Sequence, residues 1–308
     1  MDEIDFWAPF LALRADDITH LNHNKVFTVD SNSTALEAFR VLAMNSIVSA
    51  PVYDSETDEY CGFIDYCDLT RYIVNIFSNE FIESNNTIPN ETIFSLLNSH
   101  TVDVHVQHCR WIVVRVDTPI QEVLMVLKDQ NTVAMVDDDG QILKIIARID
   151  IINTLVFLHG LIGQTDLFEV PLSELGCEKQ LYMCNWDDRF LKVLRDFYKL
   201  QVSCAIIRDR HGQYLTNVSR SDLKGLLLDI HALDKNVLDV IASVRQTDTL
   251  TYAPLIRLDE ASSLREVMVC LHTTKKHHCW IFREKQPIGV ISVGDLVSWF
   301  CQLFEDIK

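Results

Sequence analysis

The sequence predicts an α/β protein in which one strand-helix-strand-strand-helix unit is used four times. A stretch in which Asp opens a helix after a strand occurs as GFIDYCDL, KIIARIDI, TNVSRSDL and GVISVGDL. The acidic residues are Asp68, Asp150, Asp222 and Asp295, and steps of 82, 72 and 73 residues separate them. A regular period of this length indicates a repeated structural unit, so four copies of one fold are expected.

Each unit is expected to open with a short strand and an amphipathic helix. The strands are VFTVD, WIVVRV, QLYMC and APLIRL. In the first unit the helix TALEAFRVLAMN places three large apolar side chains on one face. Each helix is preceded by a start signal, which is either a polar capping residue or a proline in the first turn. These signals predict that the four helices begin at Thr34, Thr118, Asp187 and Ser263.

Two more strands and a second helix complete each unit. In the first unit SAPVYD and YCGFID are joined by the polar turn SETDE, and in the third SCAIIR and QYLTNV are joined by DRHG. Half-buried strands and helices of this size cannot close a core alone. The units are therefore expected to pair, one with two and three with four, with a boundary near residue 166.

The charge balance restricts the partners of the chain. Its 308 residues include 27 basic and 44 acidic ones, which gives a net charge of −17. A surface of this sign repels nucleic acid and anionic membranes, so neither is an expected partner. A phosphate ligand would need a local basic pocket.

Cysteine usage and the apolar stretches predict an intracellular location. The nine cysteines include no C-x-x-C pair, so they are expected to be reduced thiols packed as small hydrophobic residues. The start MDEIDFWAPF is acidic, unlike a signal peptide, and IINTLVFLHGLIG is too short to span a bilayer. A cytoplasmic protein, with the nucleus as a second compartment, is expected.

The repeated stretches resemble cystathionine-β-synthase (CBS) domains, the β-α-β-β-α modules that pair into Bateman tandems. The resemblance covers roughly residues 20–304, as repeats at 20–78, 100–160, 167–231 and 238–304. Four such repeats with little else resemble the γ regulatory subunits of AMP-activated protein kinase. The resemblance implies two Bateman modules that form a flattened disc with four clefts near its centre.

The resemblance also implies which residues bind a ligand. In that family the Asp at the helix start grips the ribose diol of an adenine nucleotide, and nearby hydroxyl groups assist. The candidate ligand-binding residues are Asp68, Asp150, Asp222, Asp295, Ser203, Ser219, Ser221, Ser292, His277 and His278. AMP, ADP or ATP would act as regulatory ligands, and no cofactor is required.

The chemistry of the Ser-x-x-Asp step allows two interpretations. A fixed carboxylate can accept both hydroxyls of a ribose in charge-assisted hydrogen bonds. The same step is also a capping box, which only satisfies backbone N–H groups of the first helical turn. In the second unit Ala147 cannot cap, and in the first Asp65 adds a carboxylate that would repel phosphate. The third and fourth units are therefore the better candidate sites.

Phosphate-binding groups are sparse at the positions where the γ subunits carry arginine or His-Arg pairs. The first unit has Val48 there, and the second has Asn131 and Thr132. The fourth unit keeps His277 and His278 after two lysines, a pattern that is also typical of a solvated basic turn at a helix end. Metal binding by His272, His277, His278 and Cys279 is not expected, because the pairwise ligand spacing of zinc sites is missing.

No catalytic motif accompanies the repeats. The sequence has no P-loop, no G-x-G-x-x-G, no nucleophile elbow and no H-E-x-x-H. The expected function is a non-catalytic, nucleotide-sensing γ-like subunit beside a protein kinase catalytic subunit and a scaffolding β-type subunit. The alternative is a free-standing CBS scaffold with weak or no nucleotide binding. An enzyme regulated by its own CBS pair is disfavoured, because no catalytic domain is present.

Overall fold

The fold consists of four small sheets, each flanked by helices. The computed structural model describes residues 3–21, 25–77, 111–162, 166–177, 179–225, 230–245 and 255–306. The strands are β1 (Val29–Asp30), β2 (Ser49–Asp54), β3 (Glu59–Asp65), β4 (Val113–Arg115), β5 (Thr132–Val136), β6 (Ile142–Ala147), β7 (Met183–Asn185), β8 (Cys204–Arg208), β9 (Tyr214–Ser219), β10 (Arg257–Asp259), β11 (His278–Arg283) and β12 (Gln286–Ser292).

The α-helices alternate with these strands. They are α1 (Glu3–Leu11), α2 (Ala35–Met44), α3 (Tyr66–Ile76), α4 (Ile120–Asp129), α5 (Arg148–Ile162), α6 (Phe190–Leu200), α7 (Val237–Arg245), α8 (Leu264–Thr274) and α9 (Val293–Asp306). Short 3-10 helices cover Ala15–Leu21, Asp166–Glu169, Leu172–Leu175, Arg220–Lys224 and Ile230–Leu233. In the third repeat the described part of the second helix is thus the 3-10 turn that starts at Arg220.

The four sheets share one topology. In each, the first strand pairs in parallel with the second, which pairs antiparallel with the third. A helix connects the parallel strands, and a tight turn connects the antiparallel ones. The predicted β-α-β-β-α unit and its fourfold use are confirmed. The exact limits of the repeats, such as 20–78 for the first, remain predictions.

Two of the four predicted starts of the first helices are correct. Thr34 and Ser263 both form capping boxes with the Glu three residues later. The other two helices begin later than predicted, after Pro119 and Arg189. The hydroxyl of Thr118 instead accepts the backbone N–H of Arg115, at 2.8 Å, so it closes the turn after the strand rather than the helix. The predictions at Thr118 and Asp187 were therefore early by one and two residues.

The helices pack the repeats into two compact units. One unit comprises residues 27–111 and 182–255, and the other comprises 1–26, 112–181 and 256–308. The core of the first combines repeats one and three, where α3 packs on α6. The core of the second combines repeats two and four, where α4 packs on α9 and α5 packs on α8.

This grouping differs from the expected pairing of consecutive repeats and from a boundary near residue 166. The helices of a repeat bury their apolar face against the helices of the alternate repeat. All four repeats carry a similar amphipathic pattern, so the pattern predicts that a helix face is buried without selecting its partner. Long-range packing makes that selection.

The amino-terminal helix α1 extends the core of repeats two and four. Trp7 lies edge-on to the rings of Phe10, Phe168, Phe300 and Phe304. Its exposed fraction is 1%, and edge-to-face pairs of this kind are favourable beyond their buried area. The segment before the first repeat is therefore part of this core.

Two general features agree with the composition. The eight cysteines in the described residues are free, and most of them are buried. None of the helices in the described part of the chain combines the length and the apolar composition that a membrane crossing needs.

Candidate functional site

In every repeat an Asp carboxylate closes the first turn of the second helix. One of its oxygens accepts the backbone N–H of the residue three positions earlier. The pairs are Asp65 to Asp68 at 3.1 Å, Ala147 to Asp150 at 2.8 Å, Ser219 to Asp222 at 2.8 Å and Ser292 to Asp295 at 2.8 Å. The capping interpretation is thus confirmed, and it extends to the second repeat, where Ala147 supplies only its backbone. Capping holds each carboxylate in one place.

The start of the second strand lies beside each of these helix starts. The backbone oxygens of Asn131, Ser203 and His277 accept the N–H of the first helical residue, at 3.2, 3.0 and 2.9 Å respectively. In the first repeat Ser49 pairs with Asp65. The backbone ahead of the second strand therefore lies beside the helix start that each Asp caps.

The third repeat has the most complete arrangement. Asp222 is buried, with 4% exposure, and its Oδ2 accepts the hydroxyl of Ser219 at 3.1 Å. The hydroxyls of Ser219 and Ser221 are 2.9 Å apart. Arg245 at the end of α7 donates to the same Oδ2 at 3.2 Å. Among the described residues no hydrogen bond reaches Oδ1, so one carboxylate oxygen keeps its acceptor capacity.

Helix starts of repeats one and three lie close together within their unit. The guanidinium of Arg220 approaches the sulfur of Cys67 to 3.0 Å. Burial, followed by the negative charge of Asp222, raises the pKa of Tyr66 to about 12. Asp222 therefore lies in a partly shared environment to which the first repeat contributes.

In the fourth repeat both oxygens of the carboxylate are engaged. Oδ2 of Asp295 accepts the N–H and the hydroxyl of Ser292, at 2.8 and 2.7 Å. Oδ1 accepts the ammonium of Lys179 at 2.5 Å. The side chain of Asp295 is 37% exposed, so solvent can reach this carboxylate.

The first repeat carries two carboxylates at its helix start. Asp65 accepts the N–H groups of Cys67 and Asp68, at 2.6 and 3.1 Å. Burial, followed by the charge of Asp65, raises the pKa of Asp68 to about 7, although Arg71 lies 3.5 Å away. A carboxyl group that is partly protonated at neutral pH is a poor acceptor for a diol.

The raised pKa of Asp68 predicts how stability depends on pH. The folded state holds a proton that the unfolded chain, with an ordinary pKa near ~4, has lost, so the free energy of unfolding should fall as pH rises from ~4 to about 7. The loss amounts to at most about 4 kcal/mol. Urea unfolding across this range should show a slope that Asp68→Asn removes. An equal slope in the exposed-site control Asp58→Asn and in Asp68→Asn would contradict the assignment.

The second repeat lacks a hydroxyl group at its helix start. Burial raises the pKa of Asp150, and the N–H of Ala147 partly opposes this shift. Arg148 donates to the backbone oxygens of Leu127 and Lys128, at 2.6 and 2.8 Å, at the end of α4. Its guanidinium also lies where a side chain on Gly294 would collide, 2.8 Å from the Cβ position. Arg148 thus serves the packing of repeats two and four.

Of the two histidines of the fourth repeat, His277 offers little positive charge for phosphate at neutral pH. Desolvation of the ring, followed by the charge of Lys276, lowers the pKa of His277, although the residue as a whole is exposed. His278 pairs with Ser292 across the sheet, and its ring lies against Trp280. Their role as ligand-binding residues remains a prediction.

Besides Arg71, which lies three residues after Asp68, sequence reasoning missed two basic residues that contact candidate carboxylates from distant parts of the chain. Arg245 reaches Asp222 from α7, and Lys179 reaches Asp295 from the segment after repeat two. They lie 23 and 116 residues along the chain from their Asp partners, so no local signal in the sequence marks them.

No metal centre accompanies these sites in the part of the chain that the structure describes. There, no three His, Cys, Asp or Glu side chains come together as ligands would. The ring of His272 contacts Asn153 at 2.8 Å, and the sulfur of Cys279 contacts Cys270.

Comparison with known proteins identifies the repeated unit. The CBS domain model matches residues 16–75 and 105–156, and the other two repeats have the same sheet topology. The chain is built from four CBS domains. The resemblance stated from the sequence is confirmed.

Two relatives match nearly the whole length of this four-CBS chain. It is 21% identical over 287 residues to the 5'-AMP-activated protein kinase subunit gamma of Saccharomyces cerevisiae, across 89% of this chain and 86% of the yeast protein. Protein MJ1225 of Methanocaldococcus jannaschii, described as an archaeal homologue of γ-AMPK, superposes with a TM-score of 0.70 at 17% identity. The superposition covers 94% of this chain and 100% of the MJ1225 chain.

A third protein has the same fold. An uncharacterised conserved protein of Pyrococcus horikoshii superposes with a TM-score of 0.53 at 16% identity. The superposition covers 93% of this chain and 99% of the Pyrococcus chain. At these identities the structural matches establish the fold of the four CBS domains.

Proposed function

We propose that this chain is a non-catalytic regulatory subunit that binds adenine nucleotides and acts as a γ-like energy sensor of a cytoplasmic protein kinase complex. One observation carries the proposal. The Asp222 carboxylate is held by Ser219 and Arg245 through Oδ2, while Oδ1 keeps its acceptor capacity within the described residues. AMP, ADP and ATP are the proposed ligands.

The arrangement suits a ribose diol. A diol offers two adjacent O–H donors, and a carboxylate that is fixed in place can accept them in charge-assisted bonds. The Ser219 and Ser221 hydroxyls are 2.9 Å apart beside it and can donate or accept. Because Asp222 is already fixed in place, little ordering would be needed when a ligand binds.

The kinase assignment is supported by likeness to the yeast γ subunit over most of its length. That protein is named as a subunit of an AMP-activated kinase, and the present chain carries no catalytic motif of its own. A regulatory subunit of this kind acts through contact, so the proposed partners are a kinase catalytic subunit and a scaffolding β-type subunit.

Thermal unfolding tests nucleotide binding directly. A ligand that binds only the folded chain must stabilise it, by about 2.7 kcal/mol at a hundredfold excess over Kd. AMP, ADP and ATP should therefore each raise the melting temperature. The matched control for AMP is 2',3'-dideoxyadenosine monophosphate, which keeps the phosphate but lacks the diol and should have little effect. Identical melting temperatures with and without every nucleotide would contradict the proposal.

A free-standing CBS scaffold with weak or no nucleotide binding is the second candidate. The observation that favours it is that all four Asp residues already cap their own helices. Affinity purification from the source cell separates the two candidates. A co-purifying kinase catalytic subunit supports the γ-like role, and its absence under conditions that preserve weak complexes supports the scaffold.

A further inference from the structure

The segment that follows repeat two is held against repeat four. Cys177 is buried in the core that repeats two and four share. The backbone N–H of Lys179 donates to the oxygen of Ile288 in β12, at 3.3 Å. Two contacts of different kinds thus place the side chain of Lys179 beside the helix start that β12 leads into.

Lys179 binds Oδ1 of Asp295. In the third repeat the corresponding oxygen, Oδ1 of Asp222, accepts no hydrogen bond from the described residues. The ammonium of Lys179 binds Oδ1 of Asp295 at 2.5 Å, while Ser292 occupies Oδ2. At Asp222 the basic residue is Arg245, which binds the same oxygen as Ser219. The two candidate sites therefore differ in which oxygen the basic residue covers.

We propose that Lys179 is an internal competitor that occupies the carboxylate of Asp295 and must be displaced before a ribose diol can bind in repeat four. The inference rests on the proposed function and deepens it, because it ranks the two sites. Repeat three accepts a nucleoside without rearrangement, and repeat four accepts one only when the ammonium leaves. The displaced ammonium stays near the site, where it can attract the phosphate of a nucleotide.

The strength of this competition follows from exposure. The side chains of Lys179 and Asp295 are 43% and 37% exposed, so water screens their attraction. Ion pairs of this kind are weak, and the competition should reduce affinity only about two- to fivefold. The effect should be larger for adenosine than for AMP, because only AMP gains an attraction to the displaced lysine.

Calorimetric titration with adenosine tests the inference. Asp222→Asn removes the repeat-three site, and Lys179→Met is compared with unchanged Lys179 in that background. We expect Lys179→Met to tighten adenosine binding about two- to fivefold and to tighten AMP binding less. Lys179→Arg keeps the pair and should change nothing. The matched control Lys285→Met removes a lysine from the β11–β12 turn of the same repeat and should leave the affinity unchanged.

Each result bears on the competition itself. Unchanged or weaker adenosine binding in Lys179→Met overturns it. Absence of binding with and without Lys179 also overturns it, because something other than this lysine would then exclude the ligand. If the Asp222→Asn chain does not fold, the same comparison in the otherwise native chain shows the effect as a second, weaker binding step. Binding to Asp295→Asn protein reports repeat three alone, so the proposed function is judged separately.

Discussion

Replacement of Asp222 by Asn should weaken the binding of AMP and of adenosine about a hundredfold in the Asp295→Asn chain, where repeat three alone can bind. Two charge-assisted hydrogen bonds from a ribose diol would be lost, at about 1.5 kcal/mol each, and every 1.4 kcal/mol is a factor of ten in Kd. Asn can still accept the N–H of Ser219, so the helix start should persist. Calorimetric titration of both ligands measures the change.

The control for this prediction is Asp209→Asn. Asp209 also accepts backbone N–H groups, from His211 and Gln213, but it does so in the β8–β9 turn of the same repeat. It therefore reproduces the charge change away from the site and should leave Kd unaltered. Equal affinities with and without Asp222→Asn in the Asp295→Asn chain would show that Asp222 only caps its helix.

Replacement of Arg245 by Met should lower the free energy of unfolding by about 3–5 kcal/mol. The side chains of Arg245 and Asp222 are 15% and 6% exposed, so the change leaves a buried carboxylate without its counter-charge. Arg245 also donates to the backbone oxygen of Asn217, at 2.8 Å, and this hydrogen bond would be lost as well. Urea denaturation measures the loss.

An exposed arginine of the same chain serves as the matched control. Arg283 binds Glu260 through two bonds of 2.7 Å, and its side chain is 52% exposed. Exposed pairs contribute about 0–1 kcal/mol, so Arg283→Met should be nearly neutral. Similar losses for the two variants would mean that the Arg245 pair is not a buried one. Arg245→Lys keeps the charge and should recover part of the stability.

The sequence alone was sufficient for the repeated unit and for the position of each Asp. Strand alternation, turn composition and capping signals are local, and each depends on residues within a few positions of one another. Thr34 and Ser263 cap their helices as predicted, and Asp150 contacts Ala147 even without a hydroxyl group. The error at Thr118 arose because a polar side chain can also close a turn, and Asp188, the neighbour of Asp187, accepts the N–H of Asn185 in a similar turn.

Tertiary structure alone decided the partners of the helices and the environment of each carboxylate. Four repeats with the same amphipathic pattern could pair in several ways, and packing joined alternate repeats. Arg245 and Lys179 reach their Asp partners across 23 and 116 residues of chain. Burial, which raises the pKa of Asp68, depends on the same long-range packing. Local sequence patterns cannot predict these contacts, because the charged groups near an Asp depend on how the whole chain folds around it.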